Sequence, residues 1–168
     1  MKHRVVILTL AMILPAVVLA QSERESAERR ESERQEAHQL MGQKLVIEFV
    51  ATHSGLAALE VLVTSENGCK MVAGSDPGEV GEKCGADELG TIRTGQPVVE
   101  TPNGRDPLYE ITQALHDSSG NLIGAAGMDL KPDIGSREAV LARAKTLLAE
   151  LEAKIPSKAW LSQPAERD

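Results

Sequence analysis

The side chains in this sequence whose chemistry reaches beyond packing are two cysteines, a few histidines and a surplus of carboxylates. Cys69 and Cys84 are the only thiols. At that separation they read as a loop-closing disulfide, a redox pair or half of a metal site, and two ligands alone make a poor site. Beyond the first segment the histidines are His38, His53 and His116, none four positions from another. Covalent haem would need Cys-x-x-Cys-His, which is absent. Non-covalent haem through His53 or His116 is the one cofactor alternative; otherwise no cofactor and no metal site is expected. There is no Gly-x-Ser-x-Gly elbow, no Gly-Lys-Ser/Thr phosphate loop and no His-Glu-x-x-His helix. No carboxylate pair stands out as acid and base, and Asp129 reads as a strand-end hydrogen-bond acceptor before it reads as a catalyst. The expectation is a protein that is not an enzyme.

The compartment decides between the cysteine readings. Lys2, His3 and Arg4 precede a nearly unbroken apolar run over 5–19, and Val18-Leu19-Ala20 presents small residues where a signal peptidase reads. Residues 1–20 thus read as a secretory signal peptide cleaved after Ala20. A retained anchor is the alternative, but the run is shorter than the ~20 residues of a membrane span and Pro15 interrupts it. The expected location is periplasmic or secreted, where a cysteine pair reads first as a disulfide. Closing this loop contributes about 3 kcal/mol in the chain-entropy account.

Composition removes whole classes of partner. The formal charge of −7 is the wrong sign for a phosphate-backbone binder. Phe49, Tyr109 and Trp160 are the only aromatic residues, too few for a quaternary-amine cage or a base-stacking platform. No nucleic-acid partner is expected.

The elements that must position these side chains follow from periodicity. Residues 22–36 are almost wholly charged, with Glu25–Arg29 and Glu31–Arg34 at helix-face spacings, and predict a solvated helix. Leu40, Met41, Leu45, Phe49 and Val50 then give its continuation a face to bury. Alternation over 59–64 predicts a strand, Asn67-Gly68 the two left-handed positions of a tight hairpin, and 69–73 the returning strand. A turn at Asp76-Pro77-Gly78 leads to a short helix over 86–93, ended by Gly95. Strands are predicted over 97–101, 108–115 and 122–130, the last two joined by Asp117-Ser118-Ser119-Gly120-Asn121. Ser136 caps a closing helix in which Val140, Ala144, Leu147, Leu148, Leu151 and Ile155 form an apolar stripe, and Pro156 ends it. Trp160 is expected to pin back the tail that follows.

The sum is an α+β domain on a five-stranded antiparallel sheet. Val63-Thr-Ser-Glu-Asn-Gly68, Ala73-Gly-Ser-Asp-Pro77 and Val80-Gly81 resemble the first hairpin and following loop of PAS-like Cache sensor domains. Thr94-Gly95, Ala114-Leu-His-Asp117, Gly120-Asn-Leu-Ile-Gly124 and Met128-Asp129 resemble the closing strands of that fold. The expected layout is a signal peptide (1–20), a charged N-terminal helix (21–45), a sensor core (46–132), a C-terminal helix (133–156) and a tail (157–168).

The resemblance implies a non-enzymatic, sensor-like module that holds a small molecule between sheet and loop–helix segment. The alternative is a structural or adaptor protein acting through its terminal helices. Strand parity puts Tyr109, Ile111, Gln113 and Leu115 on one face, and that face is taken for the pocket. Ala125, Gly127 and Asp129 share a face of the last strand, with side chains small enough to leave room. The implied ligand-binding residues are Arg93, Arg105, Tyr109, Ile111, Gln113 and Asp129, with an arginine pairing a carboxylate or amino-acid ligand. The terminal helices are expected to pack together on the opposite face. Their outer stripe, Leu147 and Leu151 included, would then serve a homodimer or a membrane-receptor partner.

Overall fold

The computed structural model describes residues 40–103, 106–132 and 135–165, together with Arg24 and Arg29. The expected signal peptide, nearly all of the charged segment over 21–39 and candidate Arg105 lie outside the described residues. The chain divides into two compact units, Met1–Ser32 and Glu33–Asp168.

Its elements run α1 (Met41–Thr52), β1 (Leu56–Ser65), β2 (Gly68–Gly74), α2 (Ala86–Thr94), β3 (Val98–Glu100), β4 (Tyr109–His116), β5 (Leu122–Leu130) and α3 (Arg137–Glu152), with short 3₁₀ turns at Pro77–Glu79 and Lys158–Ser162. The five strands form one antiparallel sheet in the order β2-β1-β5-β4-β3. The α+β class and the five antiparallel strands agree with the sequence reading. Among the described residues no helix is long and apolar enough to cross a membrane.

Register assigns the two faces. Leu59, Val61 and Val63 on β1 share a face with Met128 and Ala126 on β5, which in turn oppose Ile111 and Gln113 on β4. Leu45, Val46 and Phe49 of α1 and Val140, Ala144, Leu147 and Leu151 of α3 complete this buried core. Each fully buried Leu or Val contributes about 1.5–3 kcal/mol by leaving water. Glu60, Gly127, Asp129, Glu110 and Thr112 share the other face, over which α2 lies.

The predicted hairpin turn is displaced by one residue. Ser65 pairs with Gly68, so Glu66 and Asn67 are the loop, and only Gly68 takes a positive φ, 113°. The Ser65 hydroxyl accepts the Asn67 N–H at 3.2 Å and donates to the Gly68 carbonyl at 3.1 Å, holding the turn without a left-handed Asn67. The closing helix ends at Glu152 rather than at Pro156, and Ile155 reaches the core from beyond it. Leu147 and Leu151 are fully buried inside this unit, so they form no outer stripe for a partner. The tail is held chiefly by Leu161, buried against Gly42, while Trp160 is only partly covered. Gln163 accepts the Met41 N–H at 2.8 Å, which satisfies a donor that Leu40 leaves uncapped at the start of α1.

Candidate functional site

β3 is short, and the site follows from that. Its pairing with β4 covers Glu110 to Thr112 only. From Gln113 to His116 the outer edge of β4 has no strand beside it, and a cleft of about 700 Å³ opens there. One wall is the last turn of α2 and the chain leaving it, Ile92 to Pro97. Gly95, at φ 70°, reverses the chain, and Thr91, fully buried, donates to the Gln96 carbonyl at 3.0 Å. The other wall is α3, through Lys145, Leu148 and Glu152. Gln113, Ala114, His116 and Leu122 complete the lining.

Two features make this cleft chemically distinct. Arg93 and Lys145 both line it, and neither is in an ion pair among the described residues. Against them stands a bonded pair: His116 Nδ1 lies 3.0 Å from Glu152 Oε1, and the same oxygen accepts the His116 backbone N–H at 2.8 Å. A carboxylate on Nδ1 fixes the ring's orientation and favours the tautomer whose Nε2 carries the lone pair. Asp117, next in the chain, anchors this end of the hairpin by accepting from Asn121 and Ser119. The Asn121 side-chain amide is the main reason that the Asp117 carboxyl sits below its usual range.

A smaller hollow of about 180 Å³ lies on the face under α2, among Glu60, Glu88, Glu110, Thr112, Gly127 and Asp129. Burial, and then the charges of Glu79, Asp129, Glu88 and Glu110, push Glu60 up to about 7. Burial raises Asp129 and Glu110 as well, aided by Asp106 in both cases. Gly127 makes room for the Glu60 carboxyl, since a Cβ there would come within 3.1 Å of Oε2. Among the described residues no group of three or more metal-ligating side chains comes together.

The remaining candidates are placed as follows. Cys69 and Cys84 form a disulfide with Cα atoms 5.3 Å apart, on β2 and hence three strands from the β4 cleft. Both ring nitrogens of His53 are engaged, Nδ1 with the Phe49 carbonyl at 2.6 Å and Nε2 with Glu150 at 2.9 Å, which leaves neither for a haem iron. Of Tyr109, Ile111, Gln113 and Asp129, register puts the first three on the face covered by α1 and α3 and Asp129 on the face under α2, opposite Glu110. Tyr109 and Ile111 pack into the core, while Gln113 and Arg93 meet in the β4 cleft. Lys145, Glu152, Glu60 and Glu110 were not singled out from sequence. For Glu60 a signal was present, a carboxylate alternating with the apolar residues of 59–64.

No family model and no curated protein matches the sequence. Among solved structures, the chain is similar to a type II free methionine-R-sulfoxide reductase from Thermoplasma acidophilum, at 17% identity and a TM-score of 0.43. The match covers 74% of this chain and 94% of that one. The expectation of a non-enzymatic, sensor-like module is not carried forward: the solved structure to which the chain is similar is that of an enzyme. Similarity at this level transfers neither a fold family nor a substrate.

Proposed function

We propose that this chain is an acid–base enzyme acting on a small anionic substrate in the β4 cleft. Arg93 and Lys145 attract and orient the anion, a carboxylate being the group that an arginine binds with two parallel hydrogen bonds. His116, held by Glu152, takes a proton at Nε2 and returns it. The observation that carries this reading is the double engagement of Glu152 Oε1 by the ring and the backbone of His116, at 3.0 and 2.8 Å, at the margin of a cleft that holds two unpaired cations. A base oriented by a carboxylate and facing a substrate-sized space is the minimum that general catalysis requires. The cysteines play no part, because the disulfide lies at the β2 edge of the sheet, three strands from β4. A PAS-like Cache fold is proposed for the scaffold alone, supported by the five antiparallel strands and the helices at both ends. An extracytoplasmic location is proposed with it, supported by the disulfide.

The test is proton exchange. Small 2-oxo acids, amino acids and dicarboxylates are incubated with the protein in D₂O, and deuterium entering next to the carbonyl or carboxylate is followed by NMR. At least one compound should exchange, and His116→Gln should slow it by about 10²-fold or more. Glu152→Gln should slow it in the same direction, with substrate affinity kept in both variants. No exchange across the panel, or exchange unchanged in His116→Gln, would overturn the proposal.

A further inference from the structure

We infer that Gln113 sets the substrate specificity of the cleft, its amide nitrogen donating to a hydrogen-bond acceptor that the substrate carries beside its anionic group. The inference rests on the acid–base reading of the same cleft. Gln113 is only 5% exposed. It sits on β4 between Ile111 and Leu115, opposite Ala126, in an otherwise apolar stretch of the helix-covered face. Among the described residues its Nε2 has no hydrogen-bond partner. A buried amide without an acceptor destabilises the fold, and Met or Leu would fill the same space without that penalty. The other buried glutamine shows what the fold does with such a group when it is structural. Gln43 donates Nε2 to the Gly74 carbonyl at 2.7 Å and accepts the Gly74 N–H at 3.1 Å.

Less than 1 Å² of this nitrogen is open to solvent, so it meets an acceptor from the cleft that Gln113 lines with Arg93 and Lys145 by a rotation of its amide toward the ligand. Arg93, Lys145 and the Gln113 Nε2 present donors, which favours a ligand rich in acceptors. A carboxylate flanked by a carbonyl, hydroxyl or amide oxygen satisfies them all. An α-amino acid would also need its ammonium group turned away from the two cations, toward the Glu152 carboxylate that lines the same cleft. Within the anionic class, the substrate is a carboxylate that carries an oxygen acceptor beside it, as a 2-oxo acid does.

A matched pair of probes tests this. 2-Oxoglutarate and 2-methylideneglutarate differ only in an oxygen acceptor against a carbon of similar shape. Each is titrated into the ¹⁵N-labelled full chain while the side-chain NH₂ signals of Gln113 are followed. The oxo compound should bind at least tenfold more tightly and move those signals downfield; sites built around a hydrogen bond discriminate strongly against analogues that lack it. In Gln113→Met, and separately in Gln113→Leu, the preference should vanish while affinity for the methylidene compound stays within twofold. The ligand-free variants should also melt higher than the parent, because an unpaired buried donor has gone. Equal affinities in the parent, or a preference that survives both substitutions, would overturn the inference and leave the acid–base reading standing. If neither compound binds the parent and no 2-oxo acid exchanges in D₂O, the acid–base reading fails and this inference with it.

Discussion

Glu60 shows how far one residue's behaviour is legible before its neighbours are known. Alternation over 59–64 puts it on the face away from Leu59, Val61 and Val63, as the register bears out. That this face lies under α2 and gathers Glu88, Glu110 and Asp129 depends on strands far apart in sequence. Parity has the same limit at β4: it groups Tyr109, Ile111 and Gln113 correctly but does not say which face the helices cover. The consequence at Glu60 is measurable. Burial, more than the surrounding carboxylates, raises its folded pKa from 4.5 to about 7. Between those values the folded chain binds more protons than the unfolded one, so stability present below pH 4.5 is lost as pH rises through 7. Glu60 is partly open to water, which screens the effect to about 1 kcal/mol. Glu60→Gln should therefore stabilise the protein by about that amount at pH 8 and change little at pH 4.5, read from urea midpoints at the two values. A variant destabilised equally at both would show that Glu60 holds the fold by contacts rather than by its proton.

At the scale of elements, the segments with strong local signals appear where they are expected. β5 runs over Leu122–Leu130, α2 begins at Ala86, and Ser136 caps α3 by accepting the Ala139 N–H. The hairpin turn is displaced because a serine hydroxyl substitutes for left-handed geometry, a side-chain choice that the Asn-Gly pair does not reveal. The shortness of β3, which creates the cleft, does have a local signature: in the antiparallel register residues 94–97 would have to cover Gln113 to His116, and Gly95 and Pro97 keep that stretch from pairing. α3 illustrates a different gap. Its apolar stripe is plain in the sequence, yet periodicity leaves open whether the stripe faces its own sheet or a partner. Leu147 is fully buried, so Leu147→Ala should cost about 2–5 kcal/mol of folding stability. Ser136→Ala at the exposed cap should cost only about 1 kcal/mol. Chemical denaturation of the two variants checks the order. Were Leu147→Ala the milder change, the stripe would be facing outward after all.

On the scale of the whole described unit, the disulfide ties the β2 edge of the sheet to the chain that enters α2. The segment returning from the Pro77–Glu79 turn runs along the outside of β2: Met71 N–H donates to the Glu82 carbonyl at 2.8 Å, Gly81 N–H to Met71 at 3.0 Å, and Cys84 N–H to Cys69 at 3.1 Å. These bonds cover backbone groups that an edge strand would otherwise offer to another chain. Cys84 immediately precedes the start of α2, and α2 carries Glu88 to the acidic hollow and Arg93 to the β4 cleft. The cysteine pairing was legible from sequence through the compartment argument. What the closed loop positions was not, because it depends on where α2 comes to rest. With the hydrogen bonds at 71–84 holding the folded geometry, removing the crosslink should act mainly on the unfolded chain. Replacing both cysteines by Ser should lower stability by about 3 kcal/mol, the loop-closure entropy of a fifteen-residue span. The urea m value should rise as the denatured chain expands. The Gln113 side-chain signals should keep the positions they have in the parent, because the crosslink joins the sheet at β2, three strands from β4, and the hydrogen bonds at 71–84 hold the chain that leads into α2. A double-serine variant that unfolds at the parent's urea midpoint would show that the hydrogen bonds alone hold this segment in both states.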